Sequence, residues 1–353
     1  MKKKRLLKLG PPAAIAIGAG VAAAVLFSLA GQATFFAWVL ATLAPLPIMI
    51  AMLGFGGFVG AGAAASAALV VSAIAYAHQR SVNVDEAALQ GLVFAFDLGL
   101  PALWLSFLAV LSRSKGATNW VVTTRVGSFF AREYCPLERI LSYAVSICAT
   151  IGVALAIYVS SLYGGFDIAL ERLVGNVAPF VEGLVGPNTQ LPKGVNAQVL
   201  ARFMVLAAAP AVAASSLLML MLNLWLAGRV VQLSGLLPRP WPDIPRELAM
   251  PRIYLLVFGA AALAGPYLGK LPGLIIGVVG VTVGVAFALE GLAVAHYLTR
   301  GLSFRILLLL AIYLGLAVPV TWLVFAFGLI ALGILEAAFS LRDRKDKAAS
   351  FKT

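Results

Sequence analysis

The sequence predicts an all-α protein: a polytopic bundle of about ten membrane-spanning helices with both termini in the cytoplasm. First, 62% of the 353 residues are hydrophobic and only 11% are charged, against about half and a quarter in soluble domains. Second, apolar stretches of about 15 to 25 residues recur along the chain, and this length crosses the hydrocarbon core of a bilayer. Third, Lys and Arg gather in alternate gaps between these stretches, which is typical of cytoplasmic loops.

The first five spans are expected to form an N-terminal membrane half over residues 1–162. Span 1 follows the basic segment Lys2–Arg5, and its apolar run is longer than that of a usual signal peptide, so we expect an uncleaved helix. Span 2 contains two prolines, span 3 is rich in glycine and alanine, and a basic loop separates spans 4 and 5. The expected boundaries are 12–30, 35–53, 56–77, 87–111 and 139–162.

A polar segment over residues 163–201 comes next, and we expect it to be a periplasmic loop with a short helix lying in the membrane interface. The C-terminal membrane half, 202–341, is expected to hold five more spans. Its stretch 303–341 as one helix would be about 58 Å long, nearly twice the thickness of the bilayer core. Two helices turning near Pro319 are therefore expected. The other three spans are 202–227, 253–269 and 273–298.

The distribution of the 26 Lys and Arg residues sets the predicted orientation. All but five lie on the side predicted to be cytoplasmic, including the basic tail 342–353; the five are Arg80, Arg172, Lys193, Arg202 and Lys270. This asymmetry indicates a bacterial inner-membrane protein. The net charge of +12 is scattered over short loops and both tails. It therefore favours contact with anionic lipid headgroups, and no nucleic-acid partner is expected.

Sequence motifs for catalysis or cofactor binding are missing from the chain. Two cysteines and two histidines predict neither a disulfide framework nor a metal site. No GxxxxGK[ST], HExxH or GxSxG pattern occurs, so we expect neither an enzyme nor a cofactor.

Three polar residues inside predicted spans are candidate ligand- or ion-binding residues, because ionisable groups within a bilayer are costly. Asp97 precedes Pro101 by four residues, and this proline cannot donate a hydrogen bond to the Asp97 carbonyl. A carboxyl and a freed carbonyl at one kink could hold a cation, a proton or a ligand; the alternative is a protonated Asp bonded to a neighbouring helix. For Glu290 and Asn223 the alternative is a hydrogen bond between helices.

Glycines predict where helices approach each other closely, because a bare helix face admits another backbone. In the span at 273–298, five glycines that include Gly291 fall on one continuous stripe, with Glu290 about 100° to its side. A second, weaker spacing lies at the start of span 3. The glycines expected to pack against other helices are Gly273, Gly277, Gly280, Gly284, Gly56 and Gly60.

Two stretches of the chain carry a family resemblance. One is Ala44–Gly54, which runs into the glycine-rich third span. The other is Asn223–Arg229, followed by Ser234–Asp243 and Met250–Arg252. Together with the Leu-Gly-Ile-Leu-Glu336 ending, they resemble the YybS-like family of bacterial polytopic membrane proteins. The first half also resembles the S components of energy-coupling-factor transporters, which pair a proline-bearing helix with a glycine-rich one. The resemblance implies a multi-pass membrane protein and transfers no site residue.

Two functions remain open at the level of sequence. A small-molecule transport or substrate-binding component is favoured by the proline-interrupted spans and by the acidic residues inside them; any ATPase would be a partner chain. The alternative is a non-transporting scaffold in envelope assembly or division, with the stiff segment Pro238–Pro242 contacting envelope proteins. Either function is compatible with a homo-oligomer.

Overall fold

The computed structural model describes residues 10–32, 34–78, 83–114, 121–122, 132–185 and 194–350. It is 84% helical, which confirms the all-α expectation. The helices are α1 Pro11–Ser28, α2 Phe35–Ala41, α3 Leu46–Phe55, α4 Gly57–His78, α5 Val84–Phe94, α6 Leu100–Val110, α7 Leu137–Leu162, α8 Phe166–Val185, α9 Ala197–Leu233, α10 Ile244–Glu247, α11 Ile253–Leu268, α12 Lys270–Leu298, α13 Arg305–Ala317, α14 Trp322–Phe339 and α15 Leu341–Ser350.

Eight helical stretches of the described chain are long and apolar enough to cross a membrane. Two of them are interrupted helices, formed by α2 with α3 and by α5 with α6. The helices α11 and α13 are apolar but have only 16 and 13 residues, so the number of ten spans stays a prediction. The expected turn near Pro319 is present between α13 and α14. Helix α9 is longer than expected, with 37 residues instead of the stretch 202–227.

A small antiparallel sheet occupies part of the loop after α6, where the sequence indicated only an irregular basic segment. Its strands are β1 Leu111–Ser114, β2 Val121–Val122 and β3 Arg132–Tyr134, in the order β2-β1-β3. The Arg113 Nε and Glu133 Oε2 atoms of neighbouring strands lie 2.8 Å apart. Strands of two to four residues are too short for a hydrophobic period to mark them in the sequence.

The chain divides into two compact units that are discontinuous in sequence. The first contains Met1–Ala144 and Met219–Pro242, and the second contains Val145–Leu218 and Asp243–Thr353. Helices α7 and α9 each contribute residues to both units. The division into 1–162, 163–201 and 202–341 stays a prediction.

In the first unit, Gly60 and Gly56 have different roles. A Cβ atom on Gly60 would lie 2.7 Å from the Cβ of Met52, so a glycine here allows α4 to approach α3 closely. Gly56 does not pack against a neighbour: no atom lies within 4 Å of a Cβ placed there. It connects α3 to α4 with a φ of 95°, which glycine adopts without steric cost.

In the second unit, a direct backbone contact between two helices lies at Gly291, the last glycine of the α12 stripe. A Cβ on Gly291 would lie 2.8 Å from the Leu329 carbonyl carbon, and one on Gly333 would lie 2.8 Å from that of Phe287. The backbones of α12 and α14 therefore touch through these two glycines.

The other four glycines of the stripe have looser surroundings. Gly280 and Gly284 face the α11 side chains Ala261 and Phe258, at 3.0 and 3.2 Å from an added Cβ, and Gly273 faces the Gly265 carbonyl at 3.1 Å. Gly277 has no atom within 4 Å of such a Cβ. Most of these four glycines therefore pack against the neighbouring α11. The rotation of each helix decides which glycine meets a backbone.

The orientation of the spans is testable with reporter fusions. Because basic residues are retained on the cytoplasmic side, a reporter fused after residue 185 is expected to be active in the periplasm and one after residue 240 in the cytoplasm. A pair of alkaline phosphatase and green fluorescent protein fusions at both positions measures this. Reversed activities at the two positions would refute the predicted orientation.

Candidate functional site

Asp97 lies in a π-helical turn, Ala95–Gly99, between α5 and α6. The backbone N–H of Leu100 donates to the Ala95 carbonyl, so the chain widens by one residue just before Pro101, which has no N–H to donate. Single π turns inside α-helices occur frequently at functional sites. The kink expected at Pro101 thus takes the form of a π turn with the carboxyl group inside it.

One side of this turn is packed against neighbouring helices. Phe94, which immediately precedes the turn, is fully buried and meets the Phe27 ring edge-on, with centroids 5.0 Å apart. On the other side, a Cβ placed on Gly99 would lie 3.9 Å from Ala64 of α4. The turn is therefore held between α1 and α4 within the first unit.

One carboxylate oxygen of Asp97 has no hydrogen-bond donor. Its Oδ1 atom is buried and has no partner among the described residues, although the residue as a whole is only half-buried. Leaving a buried acceptor unsatisfied costs about 1–3 kcal/mol, and a native structure retains such an atom for an identifiable reason, of which a functional role is one.

Asn223 of α9 lies at the other interrupted helix of the first unit. Its Nδ2 group donates to the carbonyl oxygens of Thr42, at 2.8 Å, and of Met219, at 2.7 Å. Thr42 begins the break between α2 and α3, so the side chain caps a carbonyl next to the break. Asn223 is fully buried, and its Oδ1 has no partner in the described part of the chain.

Glu290 belongs to the second unit, apart from the unit that contains Asp97. It is only 1% exposed, and its Oε1 lies 3.5 Å from a terminal nitrogen of Arg342. Glu336 accepts a hydrogen bond from the Arg342 Nε at 2.8 Å. We call these three residues the carboxylate–arginine cluster. Glu290 therefore has an ion-pair partner in Arg342.

Arg342 is the residue that sequence reasoning missed. The sequence predicts it to be part of the basic tail, whereas the Arg342 residue is only 6% exposed. Its Nη1 donates at 2.9 to 3.1 Å to the carbonyl oxygens of Pro245, Arg246 and Leu248. Glu336 could have indicated the burial of Arg342, because an acidic residue near the end of an apolar span requires a positive partner.

The tail itself forms helix α15, which contacts the last turn of α12. The Lys345 ammonium donates to three carbonyl oxygens, those of Tyr297, Leu298 and Arg300, at 2.9 to 3.1 Å. A cation at the C-terminal end of a helix is favoured by the helix dipole. The Tyr297 hydroxyl also donates to Asp346. The basic tail is thus a docked helix and not only a topology signal.

The described residues contain no group of three or more His, Cys, Asp and Glu that could hold a metal ion. Comparison of the chain with protein-family models, curated proteins and solved structures gives no match. The length and apolar character of the helices indicate a multi-pass membrane protein.

Proposed function

We propose that the protein is a membrane component that binds a small molecule for transport, with Asp97 as a ligand-contacting residue. The observation that carries this proposal is the buried Oδ1 atom of Asp97, which has no hydrogen-bond donor among the described residues and lies in a π turn of a membrane-spanning helix. An ionisable residue inside the membrane is by default a candidate functional residue.

The chemistry of the carboxyl group indicates the class of ligand. If the carboxyl group is ionised when the ligand is bound, it only accepts hydrogen bonds, so we propose a ligand that offers a cationic, N–H or O–H donor group. A metal-free organic cation, an amide or a proton-carrying group satisfies this requirement.

The second interrupted helix supports the same proposal. Transporters commonly build substrate sites from discontinuous helices whose backbone is unwound at the site. The first unit contains two such interruptions, at Thr42–Pro45 and at Ala95–Gly99. Each is associated with a buried side-chain oxygen without a donor in the described chain, on Asn223 and on Asp97. We further propose that the protein belongs to the YybS-like family and that a partner ATPase supplies any ATP-driven step.

The packing of Pro238–Pro242 favours transport over the scaffold alternative. The Pro238 carbonyl accepts a hydrogen bond from the Tyr134 hydroxyl, and the Arg239 Nη1 donates to the Ala109 carbonyl. The Trp241 ring lies 5.2 Å from the Arg229 guanidinium. The segment is thus anchored within the first unit, with Pro240 exposed and its other residues half-buried, which supports a fixed connector more than a free recognition arm for envelope proteins.

The proposal is tested by replacing Asp97 with asparagine. This substitution keeps the size of the side chain but removes the negative charge. A hydrogen bond to a charged group contributes about 1.5–3 kcal/mol, so the affinity for a cationic or hydrogen-bond-donating ligand is expected to fall about tenfold or more. Less of that ligand is then expected to remain bound. The measurement is mass spectrometry of small molecules that remain bound to protein purified from its native membrane in mild detergent.

Glu86→Gln is the matched control, because it removes the same charge from the exposed first turn of α5 in the same interrupted helix. Its ligand occupancy is expected to equal that of the wild type. Equal occupancy in Asp97→Asn, or no small molecule on the wild-type protein, would refute the proposal.

A further inference from the structure

A group of basic residues surrounds the junction of α12 and α13 in the second unit. The His296 Nε2 atom lies 2.8 Å from the Tyr313 hydroxyl oxygen, which joins the two helices. Arg300 follows the end of α12 by two residues, and Arg305 is the first residue of α13. We call His296, Arg300 and Arg305 the junction cluster.

The charge of Arg300 is neutralised within the fold. Its two terminal nitrogens donate to the two carboxylate oxygens of Asp243, at 2.8 and 2.5 Å. This bidentate hydrogen bond holds the pKa of Asp243 below its usual value, so the carboxyl group stays ionised at neutral pH. The pair therefore contributes little net charge to the junction cluster.

Arg305 has no such neutralising partner. Its Nε atom is buried and has no hydrogen-bond acceptor among the described residues, and Arg305 makes no ion pair there. No acidic residue occurs in the sequence between Gly301 and Leu335. A guanidinium keeps its charge at any physiological pH and matches the geometry of a phosphate. Because the Arg305 side chain is only half-buried, its accessible part can meet an external anion.

An exposed apolar stripe begins one residue after this charge. Ile306, Leu310 and Leu314 follow one another at intervals of four residues along α13, and their side chains are 81%, 51% and 55% exposed. Residues four apart lie on the same face of a helix. The stripe is therefore a continuous apolar surface, which lies about 100° around α13 from Arg305.

We propose that Arg305, within the junction cluster, binds the phosphate of an anionic phospholipid whose acyl chain lies along the α13 stripe. A phosphate ion offers the same anionic chemistry, but only a lipid uses both the cation and the adjoining apolar surface. Basic pockets between membrane helices bind anionic lipid headgroups in this way. Arg305 is predicted to lie on the cytoplasmic side of the membrane, where anionic lipids attract basic residues.

The test is native mass spectrometry of the full chain in detergent, titrated with phosphatidylglycerol, phosphatidylcholine or inorganic phosphate. The wild type is expected to bind phosphatidylglycerol in preference to the other two. Arg305→Gln is expected to weaken that binding about fivefold, the loss that corresponds to one basic residue near the membrane surface. Arg305→Lys keeps the charge and is expected to retain most of the affinity.

Lys347→Gln is the matched control, because it removes one positive charge from an exposed position of α15 in the same unit. It is expected to leave phosphatidylglycerol affinity unchanged, whereas Leu310→Gln on the stripe is expected to weaken it without altering any charge. Equal affinity of the wild type and Arg305→Gln would overturn the proposal. So would equal binding of phosphatidylcholine, or Arg305-dependent binding of inorganic phosphate in place of the lipid.

Discussion

Replacing Arg342 with glutamine is expected to destabilise the protein by about 3–5 kcal/mol, the usual loss when one partner of a buried ion pair is removed. The substitution leaves Glu290 and Glu336, which are 1% and 7% exposed, without their positive partner. It also removes the donor to three carbonyl oxygens of the segment 245–248. Thermal or denaturant unfolding of the detergent-solubilised protein measures the change.

Lys347→Gln provides the control for this experiment too. It removes the same charge from α15, but Lys347 is exposed, and an exposed charge contributes about 1 kcal/mol or less. The midpoint of unfolding is therefore expected to stay close to that of the wild type. Similar midpoints for Arg342→Gln and Lys347→Gln would show that the carboxylate–arginine cluster does not stabilise the fold.

A triple replacement separates the cost of unpaired charge from the loss of packing. Glu290→Gln and Glu336→Gln, combined with Arg342→Met, remove all three charges together while keeping similar side-chain volumes. Because the desolvation cost of buried ions offsets much of their attraction, this variant is expected to be more stable than Arg342→Gln alone. If the triple variant were the less stable of the two, the unpaired-charge explanation would fail.

Replacing Gly291 with alanine is expected to destabilise the packing of α12 on α14 by about 1–3 kcal/mol. The added methyl group would overlap the Leu329 carbonyl, with its Cβ only 2.8 Å from the carbonyl carbon and 3.0 Å from the Gly333 nitrogen. These are backbone atoms, so one helix must shift as a whole. The shift would also displace Glu290, the preceding residue, from Arg342.

Gly277→Ala on the same helix is expected to stabilise the protein instead of destabilising it. No atom lies within 4 Å of its added Cβ, and alanine is favoured over glycine in a helix by about 1 kcal/mol. Unfolding of the two variants under identical conditions measures both effects. A Gly291→Ala variant as stable as Gly277→Ala would contradict the direct backbone contact between α12 and α14.

The features that depend on neighbouring residues were predictable from the sequence. Hydropathy over some twenty residues identified the apolar helices, because a span depends on local composition and length. Proline marked the break near Pro319 and the distortion that includes Asp97, since its missing N–H acts on the adjacent turn. The small sheet after α6 was missed because its strands are too short to carry a pattern.

The candidate site was predicted in its components but not in its partners. Asp97 and Asn223 were identified as polar residues inside apolar helices, and both accompany interrupted helices of the first unit. Their donor-free oxygens became visible only in three dimensions. Glu290 was identified by the same reasoning, yet its partner Arg342 lies 52 positions further along the chain, beyond any local pattern.

The helical, apolar and multi-pass character of this chain follows from the amino-acid sequence, because each of these properties is a sum over short stretches. The burial of Arg342 between Glu290 and Glu336, and the contact of Gly291 with Gly333, follow from the three-dimensional packing. Such pairings depend on how each helix is rotated and how closely it approaches its neighbour. Contacts distributed over the whole unit set those two quantities, so no single segment of the sequence encodes them.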